Sequence, residues 1–105
     1  MNPEWKKKWV EALRSGQYKQ CNARLKKMTS SSPAYCCLGV LQELVNPNSF
    51  ELEIVKDTRS SQGAFLDVET SRITCLFASP QGALSVMNDS GRTFSEIADY
   101  IEREL

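Results

Sequence analysis

Ala34-Tyr35-Cys36-Cys37-Leu38-Gly39-Val40-Leu41-Gln42-Glu43-Leu44-Val45 is the most apolar run of the chain, and its reading sets the architecture. Cys37, Leu38, Leu41, Leu44 and Val45 fall on one broad helical face, and Asn46-Pro47 stops the run. The spacing predicts a short buried helix with a strand-like entry at Tyr35. Glycine inside a helix costs about 1 kcal/mol against alanine, so Gly39 suggests close packing against another backbone, the alternative being that the helix merely tolerates it.

Working outward toward the N-terminus, Thr29-Ser30-Ser31-Ser32-Pro33 is the clearest loop, since hydroxyl residues before a proline disfavour both helix and ladder. Before it, Gln17 to Lys27 alternates. Cys21, Ala23 and Leu25 share one face, and Gln20, Asn22, Arg24 and Lys26 the other, the pattern of a half-buried strand. Earlier still, Asn2 caps a helix predicted from Pro3 to Ser15, with Gly16 as its stop. Trp5, Trp9, Ala12 and Leu13 lie on one side of that helix, which leaves Lys6, Lys7 and Lys8 mostly in water.

Toward the C-terminus the period changes to two. Phe50, Leu52 and Ile54, then Ala64, Leu66 and Val68, then Ile73, Cys75 and Phe77 predict three strands of an antiparallel meander. A fourth short run, Ala83 to Met87, follows Pro80-Gln81-Gly82 and leads into Asn88-Asp89-Ser90-Gly91, where the sheet is expected to end. Thr93 and Glu96 form a capping box ahead of Phe94, Ile97, Ala98, Ile101 and Leu105, one face of a last helix expected to dock on the sheet. The expectation is an α+β fold over residues 1–105 as a single domain, a small antiparallel sheet packed with N-terminal, central and C-terminal helices.

Composition narrows the function. The chain has 105 residues, 41% of them hydrophobic and 25% charged, enough to build one core as a monomer or small homo-oligomer. No run approaches the roughly 20 apolar residues of a membrane span. The first residues, Met1-Asn2-Pro3-Glu4-Trp5-Lys6-Lys7-Lys8, lack the apolar centre of a secretory signal, so the expected location is cytoplasmic. Basic and acidic residues are 13 each; the first 28 positions hold eight Lys or Arg against two Glu, leaving five basic and eleven acidic residues after them. A basic arm of this kind either faces water and its own acidic partner or marks a nucleic-acid footprint.

There is no histidine, so Ser/His/Asp and Cys/His triads cannot be assembled. The chain has no GxGxxG, P-loop or HExxH, and its four cysteines, Cys21, Cys36, Cys37 and Cys75, have no CxxC spacing. No catalytic residue, metal ligand or cofactor is therefore assigned. Two polar segments resist a purely structural reading. One carries Tyr18, Lys19, Gln20, Asn22 and Arg24, a face able to meet phosphate or carboxylate. The other carries Asn88, Asp89, Ser90 and Arg92 just before a helix N-terminus, where anions can be held; its structural alternative is an Asx-type turn that positions the helix.

Three blocks taken together, Trp9 to Gln20, Tyr35-Cys36-Cys37-Leu38-Gly39-Val40-Leu41, and Met87-Asn88-Asp89-Ser90-Gly91-Arg92-Thr93-Phe94-Ser95-Glu96-Ile97-Ala98-Asp99-Tyr100-Ile101-Glu102, resemble a group of small uncharacterised bacteriophage and prophage proteins. They occur in the same order and cover about half of the chain. The sequence departs from the group at Cys21-Asn22-Ala23, where glycine is expected, and at Gln42, where a cysteine often stands. It also lacks a tryptophan-containing segment expected between Asn46 and Gln81. The resemblance implies a phage origin and action in the bacterial cytoplasm, and it supplies no catalytic residue or ligand. With the missing catalytic groups, it leads to the expectation of a non-enzymatic accessory protein that binds a host protein, inhibiting or modulating defence or transcription. The alternative is a binding module for nucleic acid or a phosphorylated small molecule, such as a nucleotide, using the two polar segments.

Overall fold

The computed structural model describes residues 1–22, 24–28, 32–47 and 65–105. Its elements run α1 (Pro3–Arg14), β1 (Lys19–Gln20), β2 (Lys26–Met28), β3 (Pro33–Tyr35), α2 (Cys37–Val45), α3 (Val68–Thr74), α4 (Ala78–Asp89) and α5 (Phe94–Glu104). The class is α+β, with five helices around a three-stranded sheet among the described residues.

The helices form where their ends are chemically satisfied. Asn2 Oδ1 accepts from the backbone N–H of Glu4 at 2.9 Å and of Trp5 at 3.4 Å, and Pro3 takes the first helical position of α1, where its missing N–H costs nothing. Thr93 Oγ1 accepts from Glu96 N, and the Glu96 carboxylate accepts from Thr93 N, the reciprocal cap that starts α5. At the end of α4, Gly91 adopts φ 100° and lets Arg92 N reach the Met87 carbonyl, a turn that a side chain would strain.

The sheet is mixed where an antiparallel one was expected. β3 is central, antiparallel to β2 and parallel to β1. The alternating stretch from Gln17 to Lys27 is not one strand: the ladder breaks after Gln20 and resumes at Lys26, so that β1 and β2 lie on opposite edges of β3. A single strand could not bond to both edges of the same neighbour. The strand-like entry at Tyr35 is present, and α2 follows it directly.

The expected meander is not what residues 65–89 build. Ile73 and Thr74 end α3, Cys75 turns through a left-handed φ of 57°, and Ala83 to Met87 lies within α4. Asp67 explains the difference: its carboxylate accepts from Thr70 N at 2.8 Å and caps α3, an N-terminal signal that the alternation of Leu66 and Val68 obscured. Pro80, read as a turn residue, sits in the first turn of α4, where proline is tolerated. The predicted strand at Phe50, Leu52 and Ile54 lies outside the described residues, as does Ala64.

One core joins these elements. α1 packs along α5 and against α2, and α2 against α4. Trp9, Leu38, Leu41, Leu84, Ile97 and Ile101 are fully buried, and the Trp9 indole N–H donates to the Cys37 carbonyl at 2.8 Å, which satisfies the polar end of a buried aromatic. Gly39 is where α2 meets the chain entering β2. A Cβ at that position would collide with the Leu25 carbonyl, so the close backbone approach is present.

Candidate functional site

The two polar segments do meet. The Gln20 amide on β1 donates to Asn88 Oδ1 at 2.9 Å and to the Arg92 carbonyl at 2.7 Å. Asn88, in the last turn of α4 and 1% exposed, accepts a second bond at Oδ1 from the backbone N–H of Cys37 at 3.1 Å. Its Nδ2 donates to the Cys21 carbonyl at 2.8 Å, with Asn22 Oδ1 and Asp89 Oδ1 each at 3.4 Å. An asparagine amide offers two donor hydrogens and two lone pairs. All are engaged inside the protein.

This junction is therefore a staple built from side chains far apart in sequence. The Cys37 N–H is one of the four that an α-helix leaves without an intrahelical partner, and Asn88 satisfies it from 51 residues away. The Cys36 thiol accepts from Gly39 N at 3.4 Å at the same helix end. The other candidate residues divide around it. Tyr18 packs edge-on against Tyr35 with ring centroids 5.3 Å apart. Ser90 donates its hydroxyl to the Met87 carbonyl at 3.1 Å. Lys19, Asn22, Arg24, Asp89 and Arg92 are exposed.

The cysteines nearby are poor nucleophiles. Burial pushes the Cys36 thiol up to about 11, and the more deeply buried Cys37 is raised well above its ordinary value for the same reason. Burial also raises Cys21, with Lys27 acting the other way. A thiol held above its ordinary value carries little thiolate near neutral pH. Among the described residues, no three Cys, Asp or Glu side chains gather where a metal ion could sit, and no helix is long and apolar enough to cross a membrane.

The surface left unfinished lies elsewhere, on α3 and α4, where the sequence reading placed no site. Phe65, Val68, Ile73, Phe77 and Val86 are the large apolar side chains that stand exposed among the described residues, and all five fall between positions 65 and 86. Phe65, Val68, Phe77 and Ala78 line a groove of about 390 Å³ together with buried Leu66 and exposed Arg72. Phe77 also occupies the N-cap position of α4 and makes no side-chain cap bond, although Ser, Thr, Asp or Asn would supply one. The signal for this surface was in the sequence as an absence: no charged residue occurs from Ile73 to Asn88.

A larger groove, about 540 Å³, runs between α1 and α5 past Lys6, Val10 and Glu11. Two of the charges that line it are paired: Arg14 bonds to Glu102, and also to Asp99. The Glu102 carboxyl is held below its ordinary value by that hydrogen bond from Arg14.

A protein-family model described as a domain of unknown function, DUF8296, matches residues 1–75. The chain belongs to that family. The DUF8296 match spans α1, the sheet, α2 and α3, and so includes Gln20, Gly39 and Arg72, whereas Phe77, Asn88 and Arg92 lie beyond it. No curated protein and no solved structure matches the chain.

Proposed function

We propose that this protein works without catalysis, as a phage accessory protein of the bacterial cytoplasm that binds a host protein and inhibits or modulates it. The observation that carries the reading is the gathering of exposed large apolar side chains on α3 and α4, with Val68 74% and Phe77 58% exposed. Clustered apolar surface of this kind marks interaction sites on soluble proteins. A phenylalanine in place of a capping residue at position 77 points the same way, since it sacrifices local helix stability for an exposed ring. The phage and cytoplasmic parts of the proposal rest on the sequence resemblance.

The test is site-specific cross-linking in host lysate from a photoreactive amino acid at Val68, with Glu11 as the control position. The expected result is one discrete adduct from position 68 that unlabelled wild-type protein competes away and that Phe77→Ser abolishes. Adducts of equal pattern from both positions, or none from 68, overturn the proposal.

A second reading is favoured by the meeting of the polar segments. Lys19, Arg24 and Arg92 stand exposed on the two segments that Gln20 joins through its bonds to Asn88 and to the Arg92 carbonyl, and Tyr18, Asn22, Asp89 and Ser90 belong to the same segments. In this reading these cations bind nucleic acid or a nucleotide, and affinity falls steeply with salt. Titration with mixed oligonucleotides and nucleotides at low ionic strength decides it; absence of binding there removes this alternative.

A further inference from the structure

We infer that the groove beside Phe77 takes a protein segment that presents an apolar side chain next to a carboxylate, with Arg72 as the residue that reads the charge. The inference rests on the proposal that α3 and α4 form the binding surface, and it names the chemistry of the partner there.

The buried amide of the groove is already bonded within the protein. Gln81 is buried; its Oε1 accepts from Leu66 N at 3.0 Å, and its Nε2 donates to the Leu76 carbonyl and to Ser71 Oγ, both at 2.8 Å. These bonds fix the groove floor and use both amide hydrogens, so the buried amide has no donor left for a ligand. The walls are the apolar faces of Phe65, Val68, Phe77 and Ala78. The charged group left in the lining is the Arg72 guanidinium.

Arg72 is exposed, and among the described residues it makes no ion pair. The acid that opens α3 does not neutralise it. Asp67 is engaged by Thr70 N at 2.8 Å and by the Gln42 amide at 2.8 Å. None of the groove-lining residues is acidic. A partner that fills the apolar part therefore meets one positive charge, and the complement is a carboxylate, which guanidinium binds through paired N–H donors. A volume of about 390 Å³ is at the small end for ligand sites and suits a few side chains rather than a whole cofactor. Apolar walls and a single cation do not provide the several phosphate contacts that nucleic acid requires.

The experiment uses the full chain, ¹⁵N-labelled, titrated with 4-phenylbutyrate and separately with its uncharged analogue 4-phenylbutanamide. Both probes should shift amide resonances between residues 65 and 81, with the carboxylate binding about threefold more tightly, as expected of one exposed charge-assisted contact. Arg72→Gln, a surface change checked by an otherwise unaltered spectrum, should bring the carboxylate down to the affinity of the amide. Added salt should weaken the carboxylate and leave the amide unchanged. Equal binding of the two probes by the wild type overturns the inference. So does a carboxylate preference that survives in Arg72→Gln, or a failure of both probes to move the groove resonances. The Val68 cross-link then judges the wider proposal separately, because a host protein with different chemistry would still be captured there.

Discussion

The junction around Asn88 and the groove beside Phe77 sit at opposite ends of the same helix and solve opposite problems. At the junction, two polar side chains that look available in the sequence, buried Asn88 and half-buried Gln20, are bonded to each other and to backbone from the end of β1, α2 and the turn before α5. In the groove, apolar side chains that look like core are left in water. The contrast shows that residue type alone does not mark a binding site. A buried amide with every hydrogen bond made has nothing to give a ligand, while exposed apolar surface still gains free energy when it is covered.

The strongest way to break the comparison is to attack the packing that supports the junction. Gly39→Ala places a methyl group against the Leu25 carbonyl, and backbone cannot swing aside as a side-chain tip can. Denaturant titration should show a loss of about 3 kcal/mol or more. A loss below about 1 kcal/mol would mean that α2 shifts freely away from Leu25.

Next in size is Asn88→Ala, which leaves the Cys37 N–H, the Cys21 carbonyl and the Gln20 amide without their partner. Equilibrium unfolding should report about 2 to 3 kcal/mol of destabilisation. A change within about 0.5 kcal/mol would return the junction to the list of ligand sites, since its bonds would then not be holding the fold.

Phe77→Ser tests the other side. Serine can accept from the first turn of α4 where phenylalanine does not, so thermal unfolding should show stability held or raised by up to about 1 kcal/mol while partner capture is lost. Destabilisation beyond about 1 kcal/mol would assign Phe77 to the core rather than to recognition.

The smallest effect lies at the seam between the regions, where Gln42 on α2 bonds to Asp67 before α3. Burial alone would raise the Asp67 carboxyl, but hydrogen bonds from Thr70 and Gln42 outweigh it and hold the folded group below its ordinary value of 3.8. The folded state is thus favoured while Asp67 is ionised. Its contribution is present above the unfolded value and is lost as pH falls through the folded one. Asp67→Asn should flatten the acid limb of a stability–pH profile measured from pH 6 to pH 2, and an unchanged limb would show that other carboxylates govern it.

Local signals in the sequence read well wherever the end of an element carried its own chemistry. Asn2 with Pro3, and Thr93 with Glu96, place α1 and α5 to within a residue, because a cap is decided by neighbours in sequence. The apolar face of α2 and the tight approach at Gly39 were legible for a similar reason: helical spacing and a missing side chain are local facts. The period-two reading of residues 65–87 failed because a few alternating apolar residues fit a strand or a short helix equally well, and the Asp67 cap and the left-handed Cys75 decided the matter.

Of the candidate site, the sequence by itself determined which residues carry polar groups, that no histidine-based catalysis is possible, and that charge disappears after Arg72 until Asp89. It took the packed chain to show that Gln20 bonds to Asn88 and Asn88 to the start of α2, and that Phe65, Val68 and Phe77 stand exposed. The reason is physical. Capping and periodicity act over a few residues, whereas satisfaction of a buried amide and exposure of a ring depend on what the rest of the chain brings alongside.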